Sequence, residues 1–216
     1  MRKILVLGLV GVIALVLAGC GGGGDNRITG PGLVGIADSP TVSITAPELT
    51  VQYTRPGIIG TFTAQILSDQ STDGDIAFDP VTSLYAVTMG PSTILFGIDS
   101  ANSHSPEYRA FLDFPLDGST GGGVIPLDAI IVSATLKVSV DFVDFAATVP
   151  VLLDLVQYPV MGLTSTDYNS APLAFRSLDI FDSDAGNDVL IEVTSLMTEA
   201  QSRGLADFQV RFLLGP

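Results

Sequence analysis

Ala129–Ile130–Ile131–Val132–Ser133–Ala134–Thr135–Leu136–Lys137–Val138–Ser139–Val140–Asp141–Phe142 is the stretch that decides the fold. From Val132 the apolar side chains fall on every second residue, through Ala134, Leu136, Val138 and Val140 to Phe142. Ser133, Thr135, Lys137, Ser139 and Asp141 take the positions between them. A period of two with one apolar face marks a half-buried strand, because successive strand side chains point to opposite faces. The β-branched content suits the same geometry. One apolar face needs a cover, and a second sheet is the cover this pattern predicts.

Outward from that strand, the sequence carries short alternating segments separated by turn residues. Thr61–Leu67, Ser83–Met89, Thr93–Ile98 and Glu107–Phe114 precede it, with Ser68–Gly74, Gly90–Pro91 and Ser100–Pro106 as the breaks. Val151–Tyr158, Val189–Val193 and Phe208–Leu214 follow it, and Met161–Leu173 reads as irregular. Thr194 and Ser195 offer caps for a short helix over Leu196–Arg203, stopped by Gly204. This spacing predicts an all-β fold, an antiparallel β-sandwich of jelly-roll type with one short helix near the C-terminus.

The N-terminus reads as an address. Arg2 and Lys3 precede an apolar run, Ile4–Leu17, which is short for a bilayer span and suited to a signal peptide. Leu17–Ala18–Gly19–Cys20 resembles the bacterial lipobox. The resemblance implies cleavage before Cys20 and diacylglyceryl modification of its thiol, a stable anchor since each buried methylene adds about 0.8 kcal/mol. Gly at position 21 permits an outer-membrane or surface destination. The expected organisation is a leader over residues 1–19, a Gly/Pro/Ser/Thr-rich tether over 20–60, and a β-domain over 61–216. Within the tether, Thr41–Thr45 and Leu49–Tyr53 alternate weakly and read as edge strands, limited by Pro47 and Pro56.

Charge narrows the partners. Nine basic residues stand against 23 acidic ones, a net charge of −14, which repels phosphate backbones and anionic headgroups. Nucleic acid is therefore excluded as an expected partner, and the membrane is reached through the lipid alone. The single Cys leaves no intrachain disulfide, and the single His, His104, lies in a Ser/Asn/Pro loop typical of solvated residues. No G-x-S-x-G elbow accompanies it, so the chain is not expected to be an enzyme, with a secreted hydrolase only the third reading.

Two acidic stretches suggest Ca²⁺. Asp182, Asp184 and Asp188, around Gly186, place hard oxygen ligands on a curled loop, without the glutamate that closes an EF-hand. Asp73–Gly74–Asp75 with Asp79 forms a second acidic loop. The plain alternative is that Asp, Gly and Ser are turn formers. Tyr85, Tyr158 and Tyr168 are the candidate contacts for a sugar ring, whereas Tyr108 sits on the apolar face of its strand.

Several segments resemble a known family. Tyr108–Phe114 (YRAFLDF), Ile125–Leu136 (IPLDAIIVSATL) and Ile191–Leu196 (IEVTSL) are similar to motifs of the DNRLRE-type domain, which is also classed among carbohydrate-binding modules. Thr164–Asn169 sits where that family often has a tryptophan motif, here with Tyr168. The likeness covers roughly residues 75 to 214 and rests on core and turn positions. It implies a β-sandwich and binding of a polysaccharide, a neutral one given the acidic charge. The chain departs from the pattern in having no Trp and in stopping at Pro216, where the family continues to a closing strand. A missing strand would leave its neighbour's edge open. The expected function is thus a lipid-anchored envelope lipoprotein with a structural or adhesive β-module, or alternatively a polysaccharide-binding one.

Overall fold

A computed structural model describes residues 29–38, 46–159 and 161–216. The leader, Cys20 and the segment Thr41–Thr45 lie outside these residues. The fold is mainly β, an antiparallel sheet curled into a half-barrel, with one short helix near the C-terminus. Its strands are β1 (Leu33–Ala37), β2 (Glu48–Arg55), β3 (Ile58–Leu67), β4 (Gly74–Asp79), β5 (Leu84–Met89), β6 (Thr93–Ile98), β7 (Glu107–Pro115), β8 (Ile130–Asp144), β9 (Thr148–Val156), β10 (Ala174–Phe181), β11 (Asn187–Glu192) and β12 (Asp207–Leu214). Helix α1 covers Thr194–Ser202. Nine strands follow one hydrogen-bonded path, β10-β9-β12-β7-β6-β1-β8-β2-β3, and β11, β4 and β5 branch from it.

β8 is the organising strand that its alternation predicts, and Ala134, Leu136, Val138 and Val140 are buried in the main core. One of its edges carries β11, while β2 and β1 share the other end to end. Two bulges correct the simple alternation. Gln52 faces Ser133 and Tyr53 faces Ile131, so Val132 has no partner in β2 and turns out to solvent. At the far end Gly35 faces Phe142 and Ile36 faces Val140, which leaves Asp141 unopposed. An extra residue exchanges the faces, so Ile131 and Val143 pack on the core instead of Val132 and Phe142.

The sheet also draws in chain that the sequence reading placed in the tether. β1 lies between β6 and β8, and β2 between β8 and β3. β1 is buried at all five positions, so it shows no polar alternation to read. Close approach makes it fit: Gly97 has φ +109°, and a Cβ there would stand 1.9 Å from the Gly32 carbonyl oxygen. β10 is absent from the sequence reading because its register places Phe175 outward and Arg176 inward, the reverse of what apolar patterning expects. Thr194 does not cap α1 with its side chain. Its Oγ1 instead accepts a hydrogen bond from the Ala134 amide at 2.9 Å, tying the helix to β8.

The inward faces meet in one large apolar cluster. Phe96 stacks near Phe212 at 5.5 Å and Phe114 near Phe208 at 6.2 Å. Each such fully buried side chain contributes roughly 1.5–3 kcal/mol. β12 is flanked on both sides, by β7 and β9, so the last strand is not an open edge. It is also buried on both faces: Phe208, Val210 and Phe212 enter the main core, and Gln209 and Arg211 point the other way. The second face is roofed by the chain between β9 and β10. There Ile76, Phe111, Val156, Tyr158, Leu163 and Tyr168 form a smaller core.

Candidate functional site

Two buried polar groups lie on this region of the sheet, and they differ in charge. The first centres on Arg211, buried opposite Asp154 of β9, with which its Nη2 pairs. Nη1 donates to the Asp167 carbonyl at 3.1 Å, the Tyr168 carbonyl at 2.9 Å and Ser170 Oγ at 3.2 Å. Arg109 of β7 reaches the same turn, donating to the Tyr168 carbonyl at 2.6 Å and to Asn169 Oδ1 at 3.1 Å. Its guanidinium carbon lies 3.9 Å from the centre of the Tyr168 ring. The turn is itself closed by Asp167, whose Oδ2 accepts from the Thr164 amide at 2.7 Å and hydroxyl at 2.8 Å. Two arginines thus fasten Thr164–Ser170 to the sheet.

The second group is wholly acidic. Asp38 follows β1, Ser68 and Asp69 follow β3, Asp73 precedes β4, and Asp113 lies within β7. Asp38, Asp73 and Asp113 are all buried. Asp73 Oδ1 accepts from the Asp113 amide at 2.6 Å. Asp113 Oδ2 accepts from Thr72 Oγ1 at 3.1 Å and Gln209 Nε2 at 3.3 Å. Among the described residues, Asp38 Oδ2, Asp73 Oδ2, Asp113 Oδ1, Ser68 Oγ and the Tyr158 hydroxyl are buried without a hydrogen bond of good geometry, as are Arg211 Nε and the Tyr168 hydroxyl in the first group. The β3–β4 turn holds this group in place: Asp69 N donates to the Asp113 carbonyl at 2.8 Å, and Gln70 Nε2 to the Asp38 carbonyl at 2.6 Å. Gly74 admits the approach of β5, since a Cβ there would lie 2.0 Å from the Thr88 carbonyl oxygen.

Burial of like charges sets the protonation. Desolvation, then the neighbouring Asp69, pushes Asp38 up to about 7, while the Ser68 hydroxyl pulls it back. Desolvation and the Asp38 charge raise Asp73 well above the carboxylate range, against the opposing Asp113 amide and Ser68. Asp113 is pushed up to about 6 by burial and by Asp207. Asp75, also buried, is raised to about 6 by desolvation, although it accepts from the Leu95 amide at 3.1 Å. A recess of about 290 Å³ opens beside the group, lined in part by Asp38, Ser68, Asp69 and Thr120.

The residues singled out from sequence fare unevenly. Asp182, Asp184 and Asp188 do not share a centre. Asp184 Oδ2 accepts from the Phe181 amide at 2.8 Å, Asp188 pairs with the Ser139 hydroxyl from the exposed strand β11, and Asp182 is exposed. Their spacing suits a short turn followed by a strand, in which alternate side chains diverge. Asp73, Asp75 and Asp79 are not a loop either, since Gly74–Asp79 is β4. Asp79 binds the Val81 and Thr82 amides and pairs with His104 Nδ1 at 2.8 Å, and that hydrogen bond holds its carboxyl well below the usual range. Among the described residues no three Asp, Glu, His or Cys side chains are arranged to hold a metal ion.

Tyr158 and Tyr168 are 4% and 3% exposed, so neither presents a ring face to a sugar. Their burial follows from the roof over the second face, which the irregular segment supplies without any periodic signal. Tyr85 is 39% exposed, with its ring 5.1 Å from Tyr168 and 5.0 Å from Phe78. Asp38, Ser68 and Asp113 escaped sequence reading. The available signal was Asp113 itself, an acid between Leu112 and Phe114 in a strand otherwise apolar from Ala110.

No protein-family model matches the chain, and no curated protein and no solved structure matches it either. The resemblance to a carbohydrate-binding family therefore stands only as far as a mostly antiparallel β-domain.

Proposed function

We propose that this chain is a bacterial envelope lipoprotein, anchored by acylation of Cys20, whose β-module has a non-catalytic structural or adhesive role at the outer membrane or cell surface. The leader pattern ending in Leu17–Ala18–Gly19–Cys20 supports the anchor. The observation that carries the non-catalytic reading is the use of the buried chemistry: Arg211, Arg109, Asp154 and Asp167 are spent on fastening the turn. In this reading the curled sheet is a β-sandwich of jelly-roll type, supported by the forked edge of β8 and by the core enclosed between its strands. Metabolic palmitate labelling tests the anchor. Label should enter the wild-type chain and be lost with Cys20→Ala, together with release from membranes; label retained by the variant would refute acylation at this residue.

A second reading has its own observation. Tyr85, half-open beside Phe78, Asn169 and the Arg109–Tyr168 stack, is an aromatic edge of the kind that stacks on a sugar. A neutral polysaccharide suits it better than an acidic one, given the charge of −14. Affinity electrophoresis through gels of single polysaccharides would favour this reading if one polymer retards the chain and Tyr85→Ala removes the retardation.

A further inference from the structure

We propose that β5 is a docking edge for a second copy of this chain, the two β5 strands pairing antiparallel across a twofold axis at Ala86. β5 is bonded to β4 along one side and to no strand along the other. All its residues are exposed, Leu84 at 66% and Met89 at 48%. The roof segment holds one face of the strand and not its edge: the Leu163 amide donates to Met89 Sδ at 3.3 Å, and Asn169 Nδ2 to the Tyr85 hydroxyl at 3.5 Å. The outer row of N–H and C=O groups is thus a fixed template for another strand.

This edge lacks the protection that the others carry. Among the described residues β3, β5, β10 and β11 each have a single sheet neighbour. β10 bears Arg176 and Asp179, and β11 bears Asp188 and Glu192. β3 has a bulge opposite Tyr53–Arg55, and Gly122 bridges it at Ile66. Charges, bulges and covering loops are the devices that blunt an edge. β5 has none of them, and from Pro80 to Ile98 the chain holds no Asp, Glu, Lys or Arg.

Charge and sequence select the occupant. At a net charge of −14, two copies repel one another except where they meet through an uncharged strip, and β5 is such a strip. The acids of its partner strand, Asp75 and Asp79, are engaged by the Leu95 amide and by His104. The strand is also complementary to itself. A twofold axis normal to the sheet keeps each residue and its mate on the same face. Centred on Ala86, it sets Ala86 against Ala86, Tyr85 against Val87 and Leu84 against Thr88 of the other copy. The axis then falls at a small residue, and two aromatic–β-branched pairs flank it. Centring on Val87 would instead set Leu84 against Gly90 and lose packing there. The pairing is isologous, so it consumes both β5 edges and stops at the dimer. A strand of 6 residues buries less than a standard interface of about 1,600 Å², which places the dissociation constant at roughly 10–100 μM.

The test is sedimentation equilibrium of the full chain in a non-ionic detergent, which keeps the apolar runs Ile4–Leu17 apart. A reversible monomer–dimer equilibrium is expected. It should tighten by roughly threefold from about 50 to about 500 mM NaCl, because salt screens the repulsion between two acidic copies. Ala86→Lys and Ala86→Glu each set like charges face to face and should leave only monomer. Mixing the two variants should restore a dimer, since the facing charges are then opposite. Both should keep the wild-type far-UV circular dichroism and Tm, because Ala86 is exposed. In a Cys20→Ser background, Ala86→Cys should oxidise to a covalent dimer, whereas Leu190→Cys, exposed on β11, should not. A chain that stays monomeric up to about 1 mM, a dimer that survives Ala86→Lys, a mixture that fails to pair, or assembly beyond the dimer would each overturn the proposal.

Discussion

Arg211 with Asp154 and Asp38 with Asp73 are two solutions to the same difficulty on one sheet. Both bury ionisable groups beneath loop segments. In the first, a guanidinium meets a carboxylate and three oxygens of the turn above it, so the charge is answered within the chain. In the second, carboxylates face carboxylates and hydroxyls, and the answer must come from a proton. The difference separates a lock from a titrating group. A charge answered within the chain cements structure, whereas carboxylates that answer only one another tie stability to the pH of the solution.

The comparison breaks first at Arg211. Arg211→Ala leaves Asp154 buried without its partner and should cost about 3–5 kcal/mol in urea unfolding. Protease should then cut preferentially between Gln157 and Leu173, because the arginine clasp holds that segment down. A loss below about 1 kcal/mol would mean the pair is no lock.

At the acidic group that cost is absent. Burial already disfavours the charged form of Asp73, and an amide oxygen can still accept from the Asp113 amide, so Asp73→Asn should leave urea stability at pH 7.5 unreduced. The pH dependence follows from the raised carboxyls. Asp38 near 7 and Asp75 and Asp113 near 6 in the folded chain lie above the ordinary value of 3.8, so between these limits the folded state holds more protons. Stability must then fall as pH rises from about 4 to about 7. Urea midpoints at pH 5 should exceed those at pH 7.5, and Asp38→Asn should flatten the slope.

Smaller effects sharpen the contrast. Arg109→Lys keeps the charge but loses the forked contacts and the stacking on Tyr168, for an expected cost near 1 kcal/mol in the same urea assay. Arg203→Ala breaks only the exposed Glu199 pair on α1, and its midpoint should move by under about 0.5 kcal/mol.

What the sequence by itself determined is local. The alternation of Ala134, Leu136, Val138 and Val140 settles a strand and its buried face, because a pleated chain permits only that arrangement. The helix over α1 and the strands β6, β7, β9 and β12 are legible in the same way. The tertiary structure decided the rest. Bulges at Val132 and Asp141 change faces because β2 and β1 impose their registers on β8. β1 is internal because neighbours cover both its faces, a fact that its own residues do not encode. Tyr158 and Tyr168 became core, and Asp38, Asp73 and Asp113 became neighbours, when the β9–β10 segment and the β3–β4 turn folded back over the sheet. A one-dimensional pattern reports which face of an element is apolar. Whether the opposite face meets water or another stretch of chain depends on contacts distant in sequence, and in this molecule those contacts made the buried acidic group.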